Sequence, residues 1–284
     1  MEAAQINANS RLKTWRAPLA YLPMRMFAFV LIALLSIADL AWSQGSATPP
    51  GQASATPSGR TTGLPMFRPV LIGQGSTALI NRIDEQDLVR KGQKDALVMF
   101  LCMVKKDGEV EWSETYGGTP DSDFLKHELQ RRISPAANPR FVPAVHDHQS
   151  VDAIYYGTVT FRIVNGKPRL RIFSNQEPGE LENEHDFIGP QPFFGDGSRF
   201  TGFNYPEMET GRVPVDGKVQ LKMKIDATGN LQEVNVVSEE PPLLGFGDAA
   251  LKDFKDAKFI PAFRNGKPVE CEVTLPVFYK AAGI

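Results

Sequence analysis

An internal repeat constrains this chain more than any other feature. Val98-Met99-Phe100-Leu101-Cys102-Met103-Val104-Lys105-Lys106-Asp107-Gly108-Glu109-Val110 aligns with Val219-Gln220-Leu221-Lys222-Met223-Lys224-Ile225-Asp226-Ala227-Thr228-Gly229-Asn230-Leu231 at a constant offset of 121. Phe141-Val142-Pro143-Ala144 then aligns with Phe259-Ile260-Pro261-Ala262 at an offset of 118. A fixed long period marks one supersecondary unit built twice. The drop from 121 to 118 puts a loop-sized insertion in the first copy. Each copy follows a Pro/Gly-containing lead-in, Phe67-Arg68-Pro69-Val70 and Ile188-Gly189-Pro190-Gln191, and the polar stretch Ser174–Asp186 joins the two.

The second copy is the clearer. Val219 to Ile225 alternates apolar and polar residues, the pattern of a strand with one face buried. Ala227-Thr228-Gly229-Asn230 is a turn in which Gly229 can take positive φ, and Leu231–Ser238 is the return strand, ended by Pro241-Pro242. Asp248 is the expected cap of a short helix with Ala250, Leu251 and Phe254 facing the core. Lys258–Arg264, a turn at Asn265-Gly266 and a long final strand through Val269–Tyr279 complete the unit, Asn-Gly being the strongest short hairpin signal. Ahead of it, Tyr205–Thr210 reads as a short helix opened by Pro206.

The first copy repeats this order, with a Lys106-Asp107-Gly108 turn and a helix from about Asp121 to Ile133. Thr119 is its expected cap, Pro120 its first turn, and Leu125, Leu129 and Ile133 its apolar stripe. Its opening strand is apolar on both faces. Leu97, Met99, Leu101 and Met103 therefore need cover from the second copy, a dimer mate or a client, with an ordinary contact between the copies favoured.

Residues 1–43 read as a leader. Arg11, Lys13, Arg16 and Arg25 precede the uncharged run Met26–Ala38, which is short for a spanning helix and suits a signal-peptide core. Ala41-Trp42-Ser43 places small residues at the −3 and −1 positions of a cut before Gln44. Residues 44–65, rich in Ser, Thr, Ala, Gly and Pro, form a linker. Of 31 basic and 33 acidic residues, 27 and 31 remain after position 43, a formal charge of −4 without any basic stripe, which argues against a nucleic-acid partner. Export permits a disulfide between Cys102 and Cys271, but each sits in a strand-like run where a small buried thiol is the favoured reading.

The C-terminal copy resembles the C-terminal domain of TonB-family proteins. The resemblance runs in order through Tyr205-Pro206, Gly217-Lys218-Val219, Thr228-Gly229, Asp248-x-Ala250-Leu251, Phe259-Ile260-Pro261-Ala262, Asn265-Gly266-Lys267-Pro268-Val269 and Leu275-Pro276-Val277-Phe278. Its motif positions are Tyr205, Pro206, Gly229, Pro261, Ala262, Gly266, Pro276 and Phe278. The first copy is a divergent member, with Asp84-Glu85 where the offset puts Tyr-Pro. The resemblance implies an α+β chain of two tandem TonB C-terminal-like domains, 66–173 and 188–284, joined by 174–187, each a short antiparallel sheet packed against two helices. It also implies a non-catalytic protein that binds an extended peptide from an outer-membrane receptor or other envelope protein at a sheet edge. Unpaired strand edges offer N–H and C=O groups to any extended chain. Val273, Thr274, Leu275 and Val277 on the last strand are the candidate edge. The competing reading is that Pro276 ends the strand and that the other copy, or the mate in a homodimer, covers that edge.

The expected location is the periplasm or beyond, with the membrane involved only if Met26–Ala38 stays uncleaved. The alternative function is a membrane-anchored TonB-type transducer coupling the inner-membrane proton gradient to outer-membrane receptor transport. The short cleavable run and brief linker weigh against it. The sequence contains no Gly-x-Ser-x-Gly elbow, phosphate-binding loop, dinucleotide fingerprint, His-Glu-x-x-His or Cys-x-x-Cys, so neither catalysis nor a cofactor is expected. His146-Asp147-His148 aligns with the Arg264-Asn265-Gly266 turn and reads as a hairpin tip rather than a metal site. The acidic run Glu180–Asp186 reads as solvated linker.

Overall fold

A computed structural model describes residues 63–207 and 214–281. The proposed leader, the linker up to residue 62 and the end of the expected Tyr205–Thr210 helix lie outside the described residues. Strands β1 (Phe67–Arg68), β2 (Ala96–Val104) and β3 (Val110–Gly118) and helices α1 (Leu79–Arg82), α2 (Glu85–Arg90) and α3 (Asp123–Ile133) open the fold. Then come β4 (Ala144–His146), β5 (Gln149–Val164), β6 (Lys167–Phe173), α4 (Pro178–Glu182), β7 (Phe187–Ile188) and β8 (Gln191–Phe194). The rest is β9 (Gly217–Ile225), β10 (Leu231–Glu240), α5 (Phe246–Phe254), β11 (Phe259–Ile260), β12 (Ala262–Arg264), β13 (Lys267–Val269) and β14 (Cys271–Tyr279). The architecture is α+β, and every strand pairing is antiparallel.

Strand pairing repeats at the offsets found in sequence. β2 pairs with β5 from Ala96–Phe161 to Val104–Ala153, and β9 pairs with β14 from Gly217–Tyr279 to Ile225–Cys271. The β2–β3 and β9–β10 hairpins carry bulges at matching places, Met99/Phe100 with Val236/Ser238 and Met103/Val104 with Leu231/Glu233. Two glycines show why the turns are alike. Gly108 and Gly229 have φ of 85° and 84°, and a Cβ would lie 2.2 Å from the Phe141 carbonyl oxygen in one case and 2.0 Å from that of Phe259 in the other. The amides of Phe141 and Phe259 donate back to the Gly108 and Gly229 carbonyls at 3.0 and 2.9 Å. The helices match as well, Leu125, Leu129 and Ile133 being buried at the places of Phe246, Ala250 and Phe254. The two Asx-type tips agree, with positive φ at Asp147 and His148 and at Asn265 and Gly266.

The halves nevertheless share structure. β8 pairs with β11 on one side and β5 on the other, and the Val70 amide donates to Gln191 Oε1 at 2.7 Å. The described residues, 63–207 and 214–281, form one compact unit. One core lies between the β2–β5 sheet and α1–α3, and the other gathers around α5, β9 and β14. Leu101, Met103, Ile154 and Tyr156, on the outer face of the first sheet, belong to the second core. The apolar outer face is thus covered by the second half.

Several local expectations are corrected. Thr119 does not cap α3; its hydroxyl accepts from the Leu97 amide, Ser122 stands at the cap without a side-chain bond, and Gln93 Oε1 accepts the buried Leu125 amide from outside the helix. Asp248 does not cap α5 but sits in its first turn, where its charge still suits the helix dipole. Gly245 is the cap residue, and Glu239 of β10 accepts from the Leu244 and Phe246 amides. Tyr205-Pro206-Glu207 is not helical, so among the described residues the second sheet packs against one helix rather than two. The final strand breaks at Glu270, which separates β13 from β14, whereas β5 runs through unbroken. The joining stretch is not bare linker, because Pro178–Glu182 forms α4.

Candidate functional site: the outer edge of the last strand

β14 lies at one side of a three-stranded sheet ordered β10, β9, β14 and pairs with β9 over nine unbulged positions. Its apolar side chains Val273, Leu275 and Val277 are buried in the second core. Backbone groups alternate between the two sides of a strand. Thr274 turns its amide away from β9, so the outward set is Glu272, Thr274, Pro276 and Phe278, while Val273, Leu275 and Val277 turn theirs to β9. Of the four candidate edge residues, Thr274 alone presents backbone groups to the outside.

Those outward groups meet side chains from the first half and the joining stretch. The Thr274 amide donates to Glu177 Oε1 at 3.0 Å, and the Tyr156 hydroxyl donates to the Pro276 carbonyl oxygen at 3.3 Å. Pro276 has no amide of its own to satisfy. The Tyr116 ring stands 4.8 Å from that of Phe278, and Lys280 Nζ pairs with Glu114 at 2.9 Å and Asp216 at 3.3 Å. Glu177 is held by its neighbours: burial raises its pKa, the Thr274 amide opposes this, and Glu180 and Glu272 add to the rise. Burial also pushes the Tyr116 and Tyr156 hydroxyls up, so both stay protonated donors.

The cover is imperfect. Among the described residues, the buried side-chain polar atoms without a partner are Tyr116 Oη and Gln176 Nε2. Both belong to this contact, Tyr116 beside Phe278 and Gln176 beside the small cleft that Val273, Leu275 and Tyr156 also line. Each orphaned polar group costs about 1–3 kcal/mol.

The remaining motif residues hold this strand in place. Tyr205 Oη donates to the Val215 carbonyl oxygen at 2.7 Å and accepts its amide at 3.0 Å, and its ring meets Phe246 edge-on at 5.6 Å. Pro206 follows it outside any helix or strand. Pro261, between β11 and β12, and Ala262, which opens β12, are buried, Gly266 takes φ 72° at the β12–β13 tip, and Phe278 is half-buried. Tyr279 donates to Asp253 Oδ2 at 2.8 Å, and Asn204 donates to the same carboxylate, tying the strand end to α5. In the β9–β10 turn burial would raise the pKa of Asp226, but hydrogen bonds from Thr228 and Asn230 outweigh it and hold the carboxyl at about 2.

Both cysteines are free thiols. Cys102 is buried, and burial aided by Glu177 and Glu270 pushes Cys271 up to about 12, leaving no thiolate for chemistry. His146 stacks on Phe193 at 4.3 Å, and His148 Nδ1 lies 2.7 Å from the Leu64 carbonyl oxygen. No group of three or more His, Cys, Asp or Glu side chains among the described residues could hold a metal ion. No described helix is long and apolar enough to cross a membrane.

Glu177, Tyr156, Tyr116 and Glu239 were not singled out from sequence. Thr274 lies 97 residues from Glu177 and Pro276 120 from Tyr156, and no local pattern links such partners.

The candidate site thus rests on a three-stranded antiparallel sheet backed by one helix among the described residues, with its last strand at the side of the sheet. Residues 202–281 match the family model of the Gram-negative bacterial TonB protein C-terminal, and that stretch is a TonB C-terminal domain. The chain has no match among curated proteins or among solved structures.

Proposed function

We propose that this is a non-catalytic, exported protein of the cell envelope that takes an extended segment of an envelope protein or outer-membrane receptor onto the β14 edge by strand addition. The duplication supplies the observation that carries this reading. In the first half, the edge of β5 from Thr158 to Phe161 is filled by a strand, β6, through Leu170–Phe173. Among the described residues, no strand pairs with the corresponding stretch, Pro276–Tyr279 of β14, on that edge, where the side chains of Tyr156 and Tyr116 lie instead. The same unit thus accepts a strand on that edge in one copy and leaves the place to side chains in the other.

The first copy is a divergent TonB C-terminal-like unit whose edge is filled in cis by β6 and β8, so it serves as platform and guard rather than receptor. A partner strand reaching Thr274 displaces Glu177 and Tyr156, and release of the orphaned Tyr116 and Gln176 offsets part of that cost. A cut before Gln44 makes the protein periplasmic, and N-terminal sequencing of the native chain is expected to start there; an intact Met26–Ala38 segment in the membrane fraction would replace this reading with the anchored transducer.

Photo-crosslinking tests strand addition. A benzophenone amino acid at Glu272 or Thr274 is expected to capture envelope proteins in intact cells. In a crosslinker-bearing Glu272 protein, Thr274→Pro should abolish that capture while circular dichroism and melting temperature stay within a few degrees. Undiminished capture in the folded proline variant sinks the proposal.

A further inference from the structure

The two halves differ at a second place, the groove between the helix and the return strand. In the first half, the insertion that shifts the repeat offset from 121 to 118 falls after α3, as a 3₁₀ turn, Pro135–Ala137, that lies against β3 and is followed by buried Pro139. Two cations flank it, and both are neutralised within the chain: Arg131 pairs with Glu128 at 2.6 Å, and Arg140 with Glu109 at 2.7 Å.

In the second half the insertion is missing. An open groove of about 590 Å³ stands between β10 and the end of α5, with Leu231, Val234, Leu251 and Phe254 among its apolar lining. The cations remain, Lys252 in place of Arg131 and Lys258 in place of Arg140, with Lys255 between them. Their counter-charges do not: Ala249 stands where the first half has Glu128, and Asn230 where it has Glu109. Two carboxylates line the groove, Glu233 and Asp256, and Asp256 is paired with Arg199 at 3.3 Å; among the described residues neither they nor any other carboxylate pairs with Lys252, Lys255 or Lys258. The second half thus has cations at the same places without the apolar filler and without carboxylates at the positions of Glu128 and Glu109.

We propose that this groove docks a short segment of another protein with a small, proline-containing apolar centre flanked by carboxylates, the chemistry that fills the same place in the first half. The apolar centre covers Leu231, Val234 and Leu251, and the flanking carboxylates meet Lys252 and Lys258. This docking is independent of what binds β14.

The test uses the mature chain and a synthetic Glu-Pro-Ala-Ala-Pro-Glu peptide at about 1 mM, the Kd scale of a small motif. Amide NMR shifts are expected at Gln232–Val234 and Leu251–Lys258, and a Lys-flanked peptide should give none. K252E/K258E should weaken the acidic peptide about tenfold, the scale of two exposed charge pairs. Inserting Pro-Ala-Ala after Lys255 should abolish the shifts; if that variant does not fold, the charge reversal decides alone. Equal shifts with both peptides, none with either, or undiminished binding by K252E/K258E overturns the proposal. So does a concentration-dependent dimer in sedimentation that K252E/K258E dissolves, since the occupant would then be a second copy of this chain.

Discussion

The two halves of the molecule have the same strand register and different surroundings. β2 with β5 and β9 with β14 pair residue for residue, bulges and turn glycines included, yet β5 is flanked by strands and β14 by side chains. The groove beside the helix is filled in one half and open in the other. A scaffold held by backbone geometry can therefore keep its fold while its edges and grooves change use. Register is set by burial on one face. Edge cover is set by whatever segment lies alongside.

The comparison is broken most directly by deleting equivalent core residues. Phe254→Ala and Ile133→Ala should cost about 3–5 and about 2–5 kcal/mol respectively. Calorimetry should show one transition moving in both variants, because β8 and the Leu101–Met103 face bind the halves together. Two separated transitions would show that the halves fold independently.

A smaller effect comes from the turns. Gly229→Ala and Gly108→Ala each force a Cβ against a carbonyl oxygen at positive φ, and each should cost about 3 kcal/mol in urea denaturation. A tolerant Gly108 would mean that the first hairpin is less tightly docked than the second.

The β14 contact should be weaker again. Tyr156→Phe removes the bond to the Pro276 carbonyl oxygen and should lower stability by about 1 kcal/mol while raising amide exchange along β14. Unchanged exchange at Thr274 and Phe278 would show that Tyr156 does not guard the edge.

The smallest effect is the pH dependence of Glu177. Burial holds its folded pKa above the ordinary value, so the folded state favours the protonated form. Its contribution is complete below the unfolded pKa and is lost as pH rises through the raised folded value. Stability should therefore fall slightly as pH rises from the ordinary carboxylate range of about 4 through the raised folded value, with a slope that Glu177→Gln flattens. Denaturation at several pH values reads this, and an identical slope in the variant removes Glu177 as its source.

Much of the second half was legible from local chemistry. Alternation from Val219 to Ile225, Gly229 and the Asn265-Gly266 pair each mark a strand or turn by steric rules that act within a few residues. The helix ends were not legible, because their polar partners come from other elements: Gln93 serves α3 and Glu239 serves α5, where Thr119 and Asp248 were the local candidates. Tyr205-Pro206 carries a helix-opening signal, but Tyr205 spends its hydroxyl on Val215 and Tyr205–Glu207 is not helical. The apolar outer face of β2 showed that something must cover it and favoured a contact between the copies, but which residues make that contact came only from the structure.

By itself the sequence determined most of the strand and turn order, a spacing of 121 and 118 residues at which the strand register of the two halves also recurs, and the TonB-like C-terminal stretch, all of which rest on neighbours in the chain or on residue-by-residue likeness. Tertiary structure alone decided that the two halves share a core, that Glu177 and Tyr156 lie on the β14 edge, and that three lysines with no carboxylate partner among the described residues surround a groove in the second half. Those outcomes depend on residues brought together across about a hundred positions, where packing rather than local preference fixes the partner.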